Sequence, residues 1–184
     1  ELTGAPVRQS ILDVDRTDLA QRDRSRRTLG LPLDRFVIAV MGGSLGSGVL
    51  NAAITAYLSA HRDDAQLAVH QIAGERFADD IDRLSADAVA IHQVVAYESD
   101  MAAVYSACDL LIGRGGASTV HEVAVTGTPT ILVPWAASAD DHQTNNVLWL
   151  SEVGAAVMLI EDELGELGTV IDELRSDVER CARI

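Results

Sequence analysis

Six short runs rich in Val, Ile, Leu and Ala, at 36–41, 67–72, 88–91, 110–112, 130–133 and 155–159, are separated by segments whose apolar residues fall three and four apart. That alternation constrains the fold more than any other feature of the chain. Short, continuously apolar runs belong to strands covered on both faces. The segments at 17–29, 49–61, 77–84, 100–107, 119–125 and 141–152 read as crossover helices. The alternation runs without a clear linker, repeat or low-complexity tract. It predicts one α/β domain, a doubly wound, Rossmann-like parallel sheet of about six strands with helices on both faces. The core has to be aliphatic, because 48% of the 184 residues are hydrophobic and only 4% aromatic.

In such a sheet ligands sit beyond the carboxyl ends of the strands, and three strand-to-helix loops stand out. The first is Met41-Gly42-Gly43-Ser44-Leu45-Gly46-Ser47-Gly48. Its glycines allow close backbone approach, and the amides at the helix start suit an anion; a tight turn is the plain alternative, since the spacing matches neither GxGxxG nor a Walker loop. The second is Gly113-Arg114-Gly115-Gly116-Ala117-Ser118-Thr119, followed by Glu122 in what reads as the first helical turn. Two helix N-termini converging on one point would suit a diphosphate. Glu122 then reads either as an acid favouring the helix start or as an acceptor for a ribose diol. The third runs from Val133 to Asn146, with Asp140 as the expected N-cap; His142, Gln143 and Asn146 suit uncharged sugar hydroxyls or form an ordinary polar helix surface.

Other chemistries are disfavoured. All 14 basic residues are Arg, which removes Lys-dependent phosphate loops and Schiff bases, and the net charge of −14 argues against a nucleic-acid partner. His121-Glu122 lacks the second His of a zincin, and His61, His70 and His92 are scattered, so no metal or other cofactor is expected. Ser44 lies outside any GxSxG elbow. Asp63-Asp64 and Asp79-Asp80 read as solvated helix ends, and Arg22, Arg24, Arg26 and Arg27, interleaved with Asp18 and Asp23, as a solvated helix face. Two distant cysteines, Cys108 and Cys181, point to a reducing, cytosolic setting, and no run of about 20 apolar residues spans a bilayer. The chain opens at Glu1 and closes on an unfinished helix at 176–184, so a piece of a longer protein is expected.

Taken with Thr3-Gly4-Ala5-Pro6-Val7-Arg8 and the stretch from Tyr97 and Glu98 through Ser99, Asp100 and Met101 to Tyr105, the three loops resemble the C-terminal domain of the MurG family of UDP-N-acetylglucosamine transferases. The most specific elements are RxGAxTxxE, matched by Arg114, Gly116, Ala117, Thr119 and Glu122, and the DDHQTxN stretch from Asp140 to Asn146. The resemblance covers nearly the whole chain. It implies a GT-B transferase with two Rossmann-like domains, of which 1–184 is the donor-binding half; the acceptor domain and its catalytic base lie elsewhere, so the fragment alone is expected to be inactive.

The resemblance further implies that Gly42, Gly43, Ser44 and Gly46, with Ala117, Ser118 and Thr119, hold the diphosphate. Arg8 and the backbone near Tyr97 and Glu98 would meet the uracil, Glu122 the ribose, and His142, Gln143 and Asn146 the N-acetylglucosamine. Ala5 stands where the family often has Asn, and His142 where some members have Gln. The implied partners are UDP-N-acetylglucosamine and a lipid-linked muramoyl-pentapeptide, reached by peripheral association at the cytoplasmic face of the plasma membrane. Another GT-B transferase, or a non-catalytic nucleotide-sugar-binding subunit of a split enzyme, stands as the alternative.

Overall fold

In a computed structural model the structure describes residues 6–43 and 45–184, apart from the side chain of Ala139. In chain order the elements are α1 (Gln9–Leu12), α2 (Leu19–Thr28), β1 (Phe36–Met41), α3 (Gly48–Ala60), β2 (Leu67–Ile72), β3 (Ile91–Val95), α4 (Met101–Ala107), β4 (Leu110–Arg114), α5 (Ala117–Thr126), β5 (Thr130–Val133), α6 (His142–Glu152), β6 (Val157–Met158), α7 (Leu167–Ser176) and α8 (Val178–Arg183). The six strands form one sheet in the order β3-β2-β1-β4-β5-β6. Every pairing is parallel, as continuously apolar strands require.

Side chains alternate across each strand, so every strand feeds two cores. Val37 and Ala39 of β1 join Leu111, Leu132, Val120, Val123 and Val147 on one face. Ile38 and Val40 join Ile112, Ile131, Leu50, Ile54 and Ile171 on the other. The chain runs β1-β2-β3 outward and then returns to place β4 against the free side of β1, in the register Ile38↔Leu110 to Met41↔Gly113. The loops after β1 and β4 therefore open side by side at the point where strand order reverses, which is where such sheets leave a crevice.

Three expectations fail locally. Residues 77–84 form turns instead of a helix. The segment is short and rich in Asp, and its apolar residues Phe77, Ala78 and Ile81 settle around Gly74 and a small cluster with Ala73 and Val94; a helix this short has too little cooperativity to form without such packing. The third strand is Ile91–Val95, not 88–91, because the amides of Val89 and Ala90 donate to the Arg62 carbonyl and turn the chain before pairing begins. At the edge of the sheet β6 keeps only Val157–Met158 of the expected 155–159; the terminal helix, by contrast, forms as α8, started by Asp177, whose carboxylate accepts from the Arg180 amide.

The basic face of α2 is not all solvated. Arg26 is fully buried and donates to the carbonyls of Ala107, Leu33 and Arg35, and its Nη2 meets Asp109 at 2.8 Å; Arg22 takes the other Asp109 oxygen at 2.9 Å. Asp109 also accepts from the Val37 amide at 2.7 Å, so one carboxylate joins α2 to the starts of β1 and β4. A guanidinium with five planar donors can saturate such a ring of acceptors, which hydropathy spacing does not register. Asp64 is likewise paired, with Arg175 of α7 at 2.5 Å.

Candidate functional site

The loop after β1 is folded back on itself. Gly43 and Gly46 have φ of +83° and +75°, and a Cβ on Gly42 would fall on the Ser47 amide nitrogen. A Cβ on Gly46 would strike the Ala73 carbonyl oxygen and come within 2.8 Å of Phe77. The glycines thus close the turn and seat it on the loop after β2. Ser44 lies outside the described residues, as does the Thr3-Gly4-Ala5 opening. Ser47 N-caps α3, its Oγ accepting from the Leu50 amide. Across the crevice Gly116 begins α5, with Ala117 and Ser118 exposed and Thr119 turned inward. Two helix N-termini therefore flank the switch point, each with amide donors that lack intrahelical partners.

Glu122 lies in the second turn of α5, because the helix begins at Ala117, and no acidic residue occupies its first turn. The reading of Glu122 as a helix-start acid therefore loses its basis, since the dipole acts mainly over the terminal turn. Its partner is Tyr105 of α4, whose hydroxyl donates to Oε2 at 2.7 Å. Burial, reinforced by that carboxylate, raises the Tyr105 pKa and keeps the phenol a neutral donor; Arg8 is near enough to oppose the rise. Arg8 opens the short α1, which packs against α4 and α5. Tyr105 thus links Arg8 and Glu122, 114 positions apart, a role that its place at the end of the Tyr97–Tyr105 stretch did not reveal.

On the adjoining loop Tyr97 is exposed, while Glu98 turns back, accepting from the Asp100 amide at 2.8 Å. Beneath it His70 is buried, with Nδ1 3.0 Å from Gln93 Oε1 and Nε2 4.0 Å from Glu98 Oε2. Burial holds the His70 pKa below the ordinary histidine value. Among the described residues no group of three or more His, Cys, Asp and Glu is arranged to hold a metal ion.

The third loop departs from expectation in its cap. Asp140 and Asp141 both have positive φ, 49° and 52°; Asp141, not Asp140, precedes α6, and neither caps it through a side chain. Asp141 instead accepts from the Thr144 hydroxyl at 2.6 Å. Two successive non-glycine residues in the left-handed region store strain that the surrounding loop must hold. Gln143 Oε1 accepts from the Trp135 amide at 3.0 Å, and Asn146 Nδ2 donates to the Gly115 carbonyl at 3.1 Å. A Cβ on Gly115 would sit 2.7 Å from the Gln143 carbonyl, so α6 lies directly against the second glycine loop. These contacts engage Gln143 Oε1 and Asn146 Nδ2, and His142 at the start of the same helix is exposed.

The profile of the glycosyltransferase family 28 C-terminal domain matches residues 37–183. The chain belongs to this family. Over 184 residues it is 39% identical to the UDP-N-acetylglucosamine--N-acetylmuramyl-(pentapeptide) pyrophosphoryl-undecaprenol N-acetylglucosamine transferase of Salinibacter ruber, covering 100% of this chain and 48% of that protein. The transferase of the same name from Desulforudis audaxviator is 37% identical over 169 residues, 89% of this chain and 44% of its own length. The crystal structure of MurG from Acinetobacter baumannii superposes with a TM-score of 0.71 at 30% identity, over 94% of this chain and 49% of that one. This family 28 domain therefore spans about half the length of the curated relatives it matches. Among the described residues no helix is long and apolar enough to cross a membrane.

Proposed function

We propose that the chain is the donor half, over 1–184, of a MurG-like inverting transferase that moves N-acetylglucosamine from UDP-N-acetylglucosamine to a lipid-linked muramoyl-pentapeptide. The observation that carries this reading is the pair of helix N-termini, α3 and α5, opening on one crevice with the Tyr105–Glu122 pair on one side and the α6 amides on the other. Gly42, Gly43 and Gly46, with Ser44 by its place in the sequence, cradle the diphosphate opposite Ala117, Ser118 and Thr119. Arg8 and the backbone at Tyr97 and Glu98 receive the uracil. Glu122, oriented by Tyr105, takes the ribose diol, and His142, Gln143 and Asn146 take the sugar hydroxyls.

In the reaction an acceptor hydroxyl attacks the anomeric carbon, the bond from that carbon to the β-phosphate oxygen breaks, and UDP departs. Negative charge grows on the diphosphate, where fixed amide donors stabilise it without reorganisation. The acceptor and the base that takes its proton belong to the half of the relatives that this chain does not span, so the chain alone binds the donor but does not transfer the sugar. The full-length protein associates peripherally with the cytoplasmic face of the plasma membrane, where its acceptor resides. Calorimetric titration with UDP-N-acetylglucosamine, UDP-glucose, UDP and GDP tests base, sugar and diphosphate together. UDP should bind and GDP should not; equal affinities for UDP and GDP would remove the reading.

A further inference from the structure

Arg114 sits at the end of β4, in the middle of the site, yet none of the donor contacts above uses it. Arg114 is only 8% exposed, and its guanidinium is engaged by three other segments. Nη2 donates to Ser47 Oγ at 2.8 Å and pairs with Glu161 Oε1 at 2.5 Å, while Nη1 reaches the carbonyls of Val133 and Pro134 at 3.3 and 3.2 Å. Glu161 begins the 3-10 turn Glu161–Glu166 after β6, and its second oxygen accepts from the Ala136 amide at 3.4 Å. A continuous path therefore runs from the α3 N-terminus through Ser47, Arg114 and Glu161 to the loop that leads into α6.

We propose that the Arg114–Glu161 pair is a latch that holds the 134–141 loop in register with the diphosphate loop, making both side chains positioning residues for the sugar end of the donor. The inference rests on the donor-site reading above. Its two ends are chemically unequal. Ser47 supports the helix start that faces the diphosphate, so its loss should weaken every UDP ligand alike. Glu161 is the link to Ala136, and Ala136 neighbours Trp135, whose amide is held by Gln143. Releasing Glu161 frees the loop that leads into the sugar contacts on α6 while leaving the glycine loops closed by their own geometry. The latch also accounts for a buried guanidinium in a binding domain, since a charge so placed is tolerated only when paired and hydrogen-bonded.

The test compares UDP and UDP-N-acetylglucosamine binding by calorimetry on the wild-type chain, Glu161→Gln and Ser47→Ala, together with hydrogen exchange of the amides at 135–138. In Glu161→Gln the ratio of the UDP-N-acetylglucosamine to the UDP dissociation constant should rise about tenfold, with UDP itself changed less than about threefold; a neutral acceptor makes a bond roughly half as strong as a charged one. Ser47→Ala should weaken both ligands and leave that ratio unchanged. Exchange at 135–138 should quicken by about tenfold in Glu161→Gln, the sign of local opening. If Glu161→Gln does not fold, the double variant Arg114→Met, Glu161→Leu removes both charges together, a change that buried pairs tolerate, and the same rise in ratio and exchange is expected. An unchanged ratio, or unchanged exchange at 135–138, overturns the latch. A wild-type chain that binds no UDP overturns the donor reading instead, and the exchange measurement still decides the latch.

Discussion

Replacing Glu122 by Gln isolates the charge of the ribose acceptor while keeping its shape. In the native chain the Tyr105 hydroxyl donates to Oε2 at 2.7 Å, so one oxygen of the carboxylate is engaged. Gln can still accept from Tyr105 through its carbonyl oxygen, so the α4–α5 contact survives and the cost in stability should stay below about 1 kcal/mol. What is lost is the charged acceptor for the diol. Charge-assisted bonds contribute about 1.5–3 kcal/mol against about 0.5–1.5 for neutral ones, a difference of about 1.25 kcal/mol and therefore close to tenfold in UDP affinity. Tyr105→Phe should act in the same direction but more weakly, about threefold, because the carboxylate keeps its charge and loses only its orientation. Calorimetry with UDP and 2′-deoxy-UDP reads both effects. A wild-type chain that does not distinguish the two ligands, or a Glu122→Gln variant that distinguishes them just as strongly, would refute the placement of the ribose at Glu122.

Gly46→Ala should cost about 2 kcal/mol or more and weaken UDP binding over tenfold, whereas Gly127→Ala, also at positive φ but with open space around its Cβ, should cost about 1 kcal/mol and leave binding intact; urea denaturation and titration compare them. Asp109→Ala strands buried Arg26 and should destabilise by about 3–5 kcal/mol in urea, while Arg26→Met, which removes the charge itself, should cost clearly less; equal losses would argue against the pairing. His92 donates through Nε2 to Gln71 and accepts from the Leu84 amide at Nδ1, and burial, aided by Arg83, lowers its pKa to about 4. The unfolded chain therefore binds this proton first as pH falls, so His92 should withdraw stability between about pH 6.5 and 4. At 1.36 kcal/mol per unit, discounted for partial solvent screening, the loss is about 2 kcal/mol, and His92→Gln should flatten that part of the pH–stability curve.

Much of the layout was legible in the linear order of residues. Strands 36–41, 67–72 and 130–133 coincide with β1, β2 and β5, because an unbroken apolar run buried on both faces has few other ways to satisfy its backbone. The glycine loops were equally legible, since a strand followed by clustered glycines and a helix pattern carries its geometry locally. The short segments were not. Residues 77–84 and 88–91 are too brief for their periodicity to outweigh what Gly74 and the Arg62 carbonyl impose on them.

The polar wiring lay beyond local pattern altogether. Arg26 read as one of four surface arginines and Glu161 as nothing in particular, because their meaning depends on Asp109 and Arg114, which folding brings to them from distant parts of the chain. Ser47 and Arg114 are 67 residues apart, and Tyr105 and Glu122 are 17 apart. The sequence by itself determined which segments form strands and where backbone amides gather at their ends. Only the tertiary structure decided which charges are buried together and which side chains orient the site, because hydropathy spacing is a property of neighbours in the chain, whereas the pairing of a buried charge is a property of neighbours in space.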